Sequence, residues 1–300
     1  MRSIGVFALA IFVLLVHGAS AQDRRSGHPA GFRMYVSTDQ GHTWKADWAP
    51  IEGLSTQGAV DPAALLMPNG DLLLYYLGSN QTQGDPARSQ PDNTWRMIVA
   101  RSTDGGRNFK EVGISYSETR GMTDPFALPT GDGAVRLYIS RGAEVFSVTS
   151  PDGIVFKKEA GLRSNRKGGV PGALRTRDGT IYLFVCRREG IMRLKSRDGL
   201  SFSDDGAALK AGPGKFLCDP SPLANPDGGY VMAYKEKDAK VHDPRHDTVR
   251  LADSLDGRTW TARPGTIGTG SVPGLVIAAD GVWRIYTTGP PPMAKRGGPR

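Results

Sequence analysis

The sequence predicts an all-β fold, a five-bladed β-propeller closed by its N-terminal strands. Three observations predict it. A short apolar strand opening on X-Pro recurs five times, at Pro62, Pro125, Pro171, Pro220 and Pro273, spaced by 63, 46, 49 and 53 residues. A Ser-Asp-Gly-aromatic turn recurs in phase with it, and the last unit is cut short after two strands. Self-similarity at this period means stacked units, none of which buries its own core alone.

Each unit reads strand, strand, strand, turn, strand. The first strands are VDPAALLMPNG, TDPFALPTGDG, VPGALRTRDG, CDPSPLANPDG and VPGLVIAADG, and the second strands are DLLLYYLG, AVRLYIS, TIYLFVC, GYVMAYK and VWRIYTTG. The turns carry Ser37/Asp39/Gly41/Trp44, Ser102/Asp104/Gly106/Phe109, Ser150/Asp152/Gly153/Phe156, Ser196/Asp198/Gly199/Phe202 and Ser254/Asp256/Gly257/Trp260. What the fifth unit lacks stands at the N-terminus, in FRMYVSTDQGHTW, residues 32–44. If that segment completes the last blade the ring closes, and no sheet edge is left open. The chain holds 39 Gly and 21 Pro between regular apolar strands, which fits tight turns, and no amphipathic helix stands out.

Residues 1–21 read as a secretory signal: Arg2, the apolar run IGVFALAIFVLLV, and Ala19-Ser20-Ala21 as a cleavage site. A retained anchor is the alternative. The expectation is a secreted or periplasmic protein with no membrane span after cleavage. Residues 22–31 then form a linker, 32–289 the propeller, and 290–300 (PPPMAKRGGPR) a basic tail. The formal net charge is +8, or +7 once Arg2 is lost, with no nucleic-acid module beside it. An exported basic protein meets an anionic glycan, a cell surface or a small anion, or uses its charge for solubility alone. The oligomeric state is left open.

In a propeller the first strands line the central channel, and their starts share one rim with the ends of the second strands. The Ser-Asp-Gly turns lie at the opposite rim, where their side chains serve local backbone groups. The first rim receives Asp61, Asp124 and Asp219, each before Pro, with Val170 and Val272 at the equivalent places. It also receives Gly78, Arg141, Arg187, Arg188, Glu189, Lys235, Glu236 and Thr288, and two long insertions, 79–93 and 236–247. Long loops at one mouth of a rigid scaffold are where function sits. Three carboxylates converging on one funnel suit glycoside hydrolysis, where one protonates the leaving oxygen and another activates water or attacks. A third raises the acid's pKa by like-charge repulsion. The alternative is that Asp merely opens the strand, although two units make the same turn with Val.

Tyr75, Tyr76 and Tyr138 fall on second strands and are expected to pack the sheet. His242, Asp243, His246 and Asp247 resemble a metal cluster but read better as a solvated lid. Neither a metal nor an organic cofactor is expected. Cys186 and Cys218 lie near the same rim, and the sequence leaves open whether they bridge or remain two buried thiols.

The Ser-x-Asp-Gly-x-x-Phe/Trp turn resembles the Asp-box of the sialidases. The whole repeat, over residues 32–289, is similar to the five-bladed propeller glycosidases of the arabinanase, xylosidase and invertase kind. That resemblance implies a glycosidase in which Asp61 is the base or nucleophile and Asp124 tunes and orients the acid. It also implies a general-acid Glu in the third blade. Residues 168–172 read Gly-Gly-Val-Pro-Gly instead, so Glu189 is the expected substitute, with Asp219 and Glu236 behind it. Substrate binding falls to Arg141, Arg187, Arg188 and Lys235, which suit an anionic or acid-bearing glycan. The competing expectations are a non-catalytic propeller binding glycan or protein at the same mouth, and a sialidase-like exo-glycosidase using Arg120 with the rim arginines.

Overall fold

The computed structural model describes residues 29–56, 58–78, 94–241 and 243–290. The signal segment, most of the linker, the 79–93 insertion, His242 and the tail from residue 291 lie outside the described residues. The N-terminal hairpin is β1 (Gly31–Ser37) and β2 (Lys45–Glu52). Next come β3 (Ala59–Leu66), β4 (Leu72–Gly78), β5 (Trp95–Ser102) and β6 (Phe109–Glu118). Then follow β7 (Thr123–Pro129), β8 (Val135–Arg141), β9 (Glu144–Ser150) and β10 (Lys157–Lys158). The next group is β11 (Gly169–Arg175), β12 (Ile181–Arg187), β13 (Gly190–Ser196) and β14 (Ser203–Lys210). After it stand β15 (Lys215–Ala224), β16 (Tyr230–Asp238), β17 (Thr248–Ser254), β18 (Thr261–Ala262) and β19 (Gly268–Thr269). The last pair is β20 (Ser271–Ile277) and β21 (Trp283–Thr288). The fold of the described residues is all-β, with a 3-10 turn at Pro244–His246. No helix among the described residues is long and apolar enough to cross a membrane.

β7–β10 and β11–β14 each form a four-stranded sheet, and β15–β18 form another in which β19 also pairs with β17. The remaining strands run β20-β21-β1-β2-β6-β5-β4-β3. That sheet joins the chain's two ends: β1 lies antiparallel to β21, from Arg33 opposite Thr287 to Ser37 opposite Trp283. The β2–β6 junction inside it is a short parallel contact, Ile51 opposite Phe109 and Glu52 opposite Lys110. The five X-Pro strands pack on one another in a cycle, β3 on β7, β7 on β11, β11 on β15, β15 on β20 and β20 on β3.

The second strands read as continuous apolar runs because both of their faces are covered. Every residue of β4 is buried, for example. The core is divided into five apolar clusters, one between each neighbouring pair of strand groups. Tyrosines of the second strands add polar ties between groups. The hydroxyls of Tyr286, Tyr75 and Tyr138 donate to the carbonyls of Gly106, Gly153 and Gly199, at 2.8, 2.8 and 2.9 Å, each in the turn of the next group.

Those turns close on themselves. Ser37 Oγ donates to Asp39 Oδ1 at 2.7 Å and accepts from the Gly41 N–H at 2.9 Å, and Asp39 accepts the Thr43 N–H. The Ser–Asp bond recurs at Ser102, Ser150, Ser196 and Ser254. Donors from Thr43 hold Asp39 well below the usual carboxylate range, and the Ser201 and Leu200 N–H groups do the same for Asp198. By register the turns are a strand length from the X-Pro ends: Ser102 faces Leu72 and Ala59 faces Gly78, six residues or about 20 Å apart.

Candidate active site

Each X-Pro strand starts with a kink. Asp61, Asp124, Val170, Asp219 and Val272 have φ of 56, 49, 53, 56 and 50°. The strand ladder slips register at each of these places, because the following proline has no N–H to give it. This left-handed conformation costs an L-residue about 1–2 kcal/mol. Asp tolerates it, whereas a β-branched Val there is a true outlier. Two Val at the same angle show that the ring and the proline impose the kink, and that Asp is not needed to make it.

The kinks are pinned from group to group by one hydrogen bond each. The Asp61 N–H donates to Thr288 Oγ1 (2.8 Å), the Asp124 N–H to Asp61 Oδ2 (3.3 Å) and the Val170 N–H to Ser140 Oγ (3.0 Å). The Asp219 N–H donates to Cys186 Sγ (3.3 Å) and the Val272 N–H to Asp219 Oδ2 (2.8 Å). Asp61 and Asp219 therefore hold the next strand's start in place, while Asp124 does not, because Ser140 takes that part. Cys186 and Cys218 form a disulfide, with S–S 2.06 Å, tying the end of β12 to β15. Glycine is required where neighbouring groups approach closely: a Cβ on Gly172 would sit 2.2 Å from the Pro220 carbonyl oxygen, and one on Gly274 2.6 Å from that of Pro62. All five prolines line a neck of about 20 Å³, room for roughly one water.

The ring brings the three predicted aspartates together. Asp61 and Asp219 are 7% and 5% exposed, and Asp124 is half-buried. Burial, then the neighbouring Asp124, pushes the Asp61 carboxyl well above its ordinary value. Burial, then Asp219, pushes Asp124 up to about 6. Lys235 Nζ lies 2.8 Å from Asp219 Oδ2 and 3.8 Å from Asp247 Oδ2. Burial opposes the Lys235 charge, but the carboxylates, Asp219 first, outweigh it and raise its pKa. Asp219 thus faces a fixed cation, while Asp61 and Asp124 face each other and favour holding a proton.

The other candidates stand elsewhere. Glu189 is exposed on the β12–β13 hairpin, where its backbone carbonyl accepts the Ala211 N–H. Among the described residues its carboxylate has no partner, and the exposed Arg188 is likewise unpaired. Arg141 is held by Glu118 and the Gly121 carbonyl and lies 4.5 Å over the Phe146 ring. Arg187 is held by the Lys167 carbonyl (2.6 Å) and Asp204 (2.9 Å). Glu236 accepts Arg250 at 2.9 Å. Of the four predicted binding cations, only Lys235 reaches the carboxyl cluster.

Asp247 is the site member that sequence reasoning missed. It belongs to the insertion read as a solvated lid, yet it is 4% exposed, its Oδ1 is buried without a hydrogen-bond partner, and burial raises its pKa. Its neighbour Asp243 behaves as expected of a solvated loop, capping the 3-10 turn and pairing with Arg245 at 2.6 Å. Nothing in VHDPRHD separates the two aspartates. Among the described residues, one group could bring three ligand atoms together, Cys186, Cys218 and Asp219, and the disulfide takes both sulfurs.

No protein-family model and no curated protein matches the chain. Solved structures do match it. A thermostable family-43 glycoside hydrolase superposes with a TM-score of 0.60 at 14% identity, over 84% of this chain and 98% of that one. An endo-arabinase from Bacteroides thetaiotaomicron gives 0.58 at 14% identity, over 83% and 98%. An endo-1,4-beta-xylanase from the same organism gives 0.57 at 19% identity, over 76% and 84%. At these identities the likeness establishes the architecture: the chain has the propeller-like fold of these glycoside hydrolases.

Proposed function

We propose that the chain is a glycoside hydrolase-like enzyme on a five-bladed propeller, with Asp61, Asp124 and Asp219 as its reacting carboxyls. The observation that carries this is the convergence of three carboxyls, from three separate strands, on the narrow end of a channel in a fold shared with glycoside hydrolases. In this reading Asp124 is the acid. It is the least buried of the three and is pushed up to about 6, so it keeps its proton into mildly acidic solution, where an ordinary carboxyl has lost it. The proton goes from Asp124 to the glycosidic oxygen as that bond breaks. Asp61, once ionised, takes a proton from the attacking water or attacks C1 itself. Asp219, paired with Lys235, lies close enough to raise the proton affinity of the other two. The five cyclic strand contacts support the blade count, and residues 1–21 support export. Net charge and the exposed Arg188 support an acid-bearing glycan. Arg141 and Arg187 would join in binding only after leaving Glu118 and Asp204.

A second reading, a non-catalytic glycan-binding propeller, is favoured by Gly-Gly-Val-Pro-Gly at 168–172 and by the structural hydrogen bonds of Asp61 and Asp219. Assay of the purified protein on aryl glycosides and on neutral and acidic polysaccharides separates the two. Loss of a general acid removes about 10²–10⁴-fold of rate. Asp124→Asn is expected to lose at least 10²-fold in kcat, and Glu189→Gln to stay within about twofold. Polysaccharide binding without turnover in the wild type would establish the second reading.

A further inference from the structure

Beyond the collar of prolines the channel changes character. The second halves of the five X-Pro strands open into a cavity of about 700 Å³, within the range that takes a drug-sized ligand. Its wall includes Leu66, Phe126, Leu128, Leu174, Leu223 and Ile277, and its one charged lining residue is Arg175. Five residues after each kink stand Leu66, Pro129, Arg175, Ala224 and Ile277. A guanidinium thus occupies a place that is apolar in the other four strands.

Arg175 is also unlike the chain's other enclosed arginines. Arg136 pairs with Glu159, Arg193 with Asp205 and Arg284 with Asp280, and the buried Arg163 donates to the Leu200 and Ala160 carbonyls. Among the described residues Arg175 has neither a carboxylate nor a carbonyl partner; its Nε is buried without a hydrogen bond, as are those of Arg163 and Arg284, but in those two the other guanidinium nitrogens are held. Leaving such a donor unmade is costly, and an anion that supplies the acceptor recovers that cost. Concave apolar surface of this extent marks a binding site more often than bare surface. The chain's own C-terminal sequence, MAKRGGPR, is basic and would repel Arg175.

We propose that this cavity is a second binding site, for one molecule with an apolar body and a single carboxylate, its head on Arg175 and its body against the leucines. The neck of about 20 Å³ separates it from the carboxyl cluster, so the site stands or falls independently of the enzymatic reading.

The test is calorimetric titration of the full-length protein with dodecanoate and with dodecanol, both below their aggregation range. The wild type is expected to bind one dodecanoate per chain, at least tenfold more tightly than dodecanol. Arg175→Gln should lose about tenfold for dodecanoate and stay within twofold for dodecanol. Ala224→Trp, placing a ring at an exposed position of the mouth, should weaken both tenfold or more. Absence of dodecanoate binding, equal affinity for acid and alcohol, or binding unchanged in both variants would overturn the proposal. The acid–alcohol comparison needs no variant, so a misfolded mutant cannot shield it.

Discussion

Replacing Asp124 by Asn should stabilise the protein at neutral pH and do nothing in acid. Burial and the neighbouring Asp219 raise this carboxyl from 3.8 to about 6 in the folded state. The native protein therefore binds more protons than the unfolded chain between about pH 4 and 6, and stability falls as pH rises through that window. Below it both states are protonated and the penalty is absent; above it the penalty is complete. At about 1.4 kcal/mol per pH unit, the full effect is on the order of 3 kcal/mol, an upper bound because Asp124 keeps some solvent contact. Asn has the shape of the protonated acid and tolerates the φ of 49° found here. Removing the charge also relieves Asp61, which Asp124 pushes upward. The aspartates of the turns titrate alike in both proteins and cancel in the difference. Urea denaturation of wild type and Asp124→Asn from pH 3.5 to 8 measures it. The curves should coincide near pH 3.5 and separate by up to about 3 kcal/mol by pH 7, roughly 6–12 °C in Tm for a domain of this size. Parallel curves, or a variant less stable at pH 7, would refute the picture of a charge held at a cost for chemistry.

The remaining predictions concern the ring itself. Asp61 accepts the Asp124 N–H and sits at φ 56°. Asp61→Asn preserves both features, while Asp61→Ala strands a buried donor and should be less stable than Asn by about 2 kcal/mol; equal midpoints in urea would show that the hydrogen bond is immaterial. Replacing both Cys186 and Cys218 by Ala frees a closure of 32 residues. Chain entropy puts its loss at about 3–4 kcal/mol, readable as a lower denaturation midpoint, and a cost below about 1 kcal/mol would mean that the ring holds those strands without the bridge.

The strand plan is legible along the chain because its signals are local. Proline stops the ladder wherever it falls, an Asp-Gly turn bends its own backbone, and an apolar run covered on both faces shows its period. The incomplete last unit pointed to the pairing of β1 with β21, and X-Pro placed Asp61, Asp124 and Asp219 at one end of the channel. Tertiary structure decided which side chains are already engaged. Glu118 takes Arg141, Asp204 takes Arg187, and Lys235 turns to Asp219 instead of to solvent; each partner comes from another strand or hairpin, so no spacing announces it. Asp247 and Asp243 are four residues apart in one polar loop, and only packing buries the first and leaves the second in water. The same holds for the hooks through Thr288, Ser140 and Cys186. A side chain's charge state and hydrogen-bond partner depend on what the ring brings within 3 Å, and that is settled when the first and last strands meet.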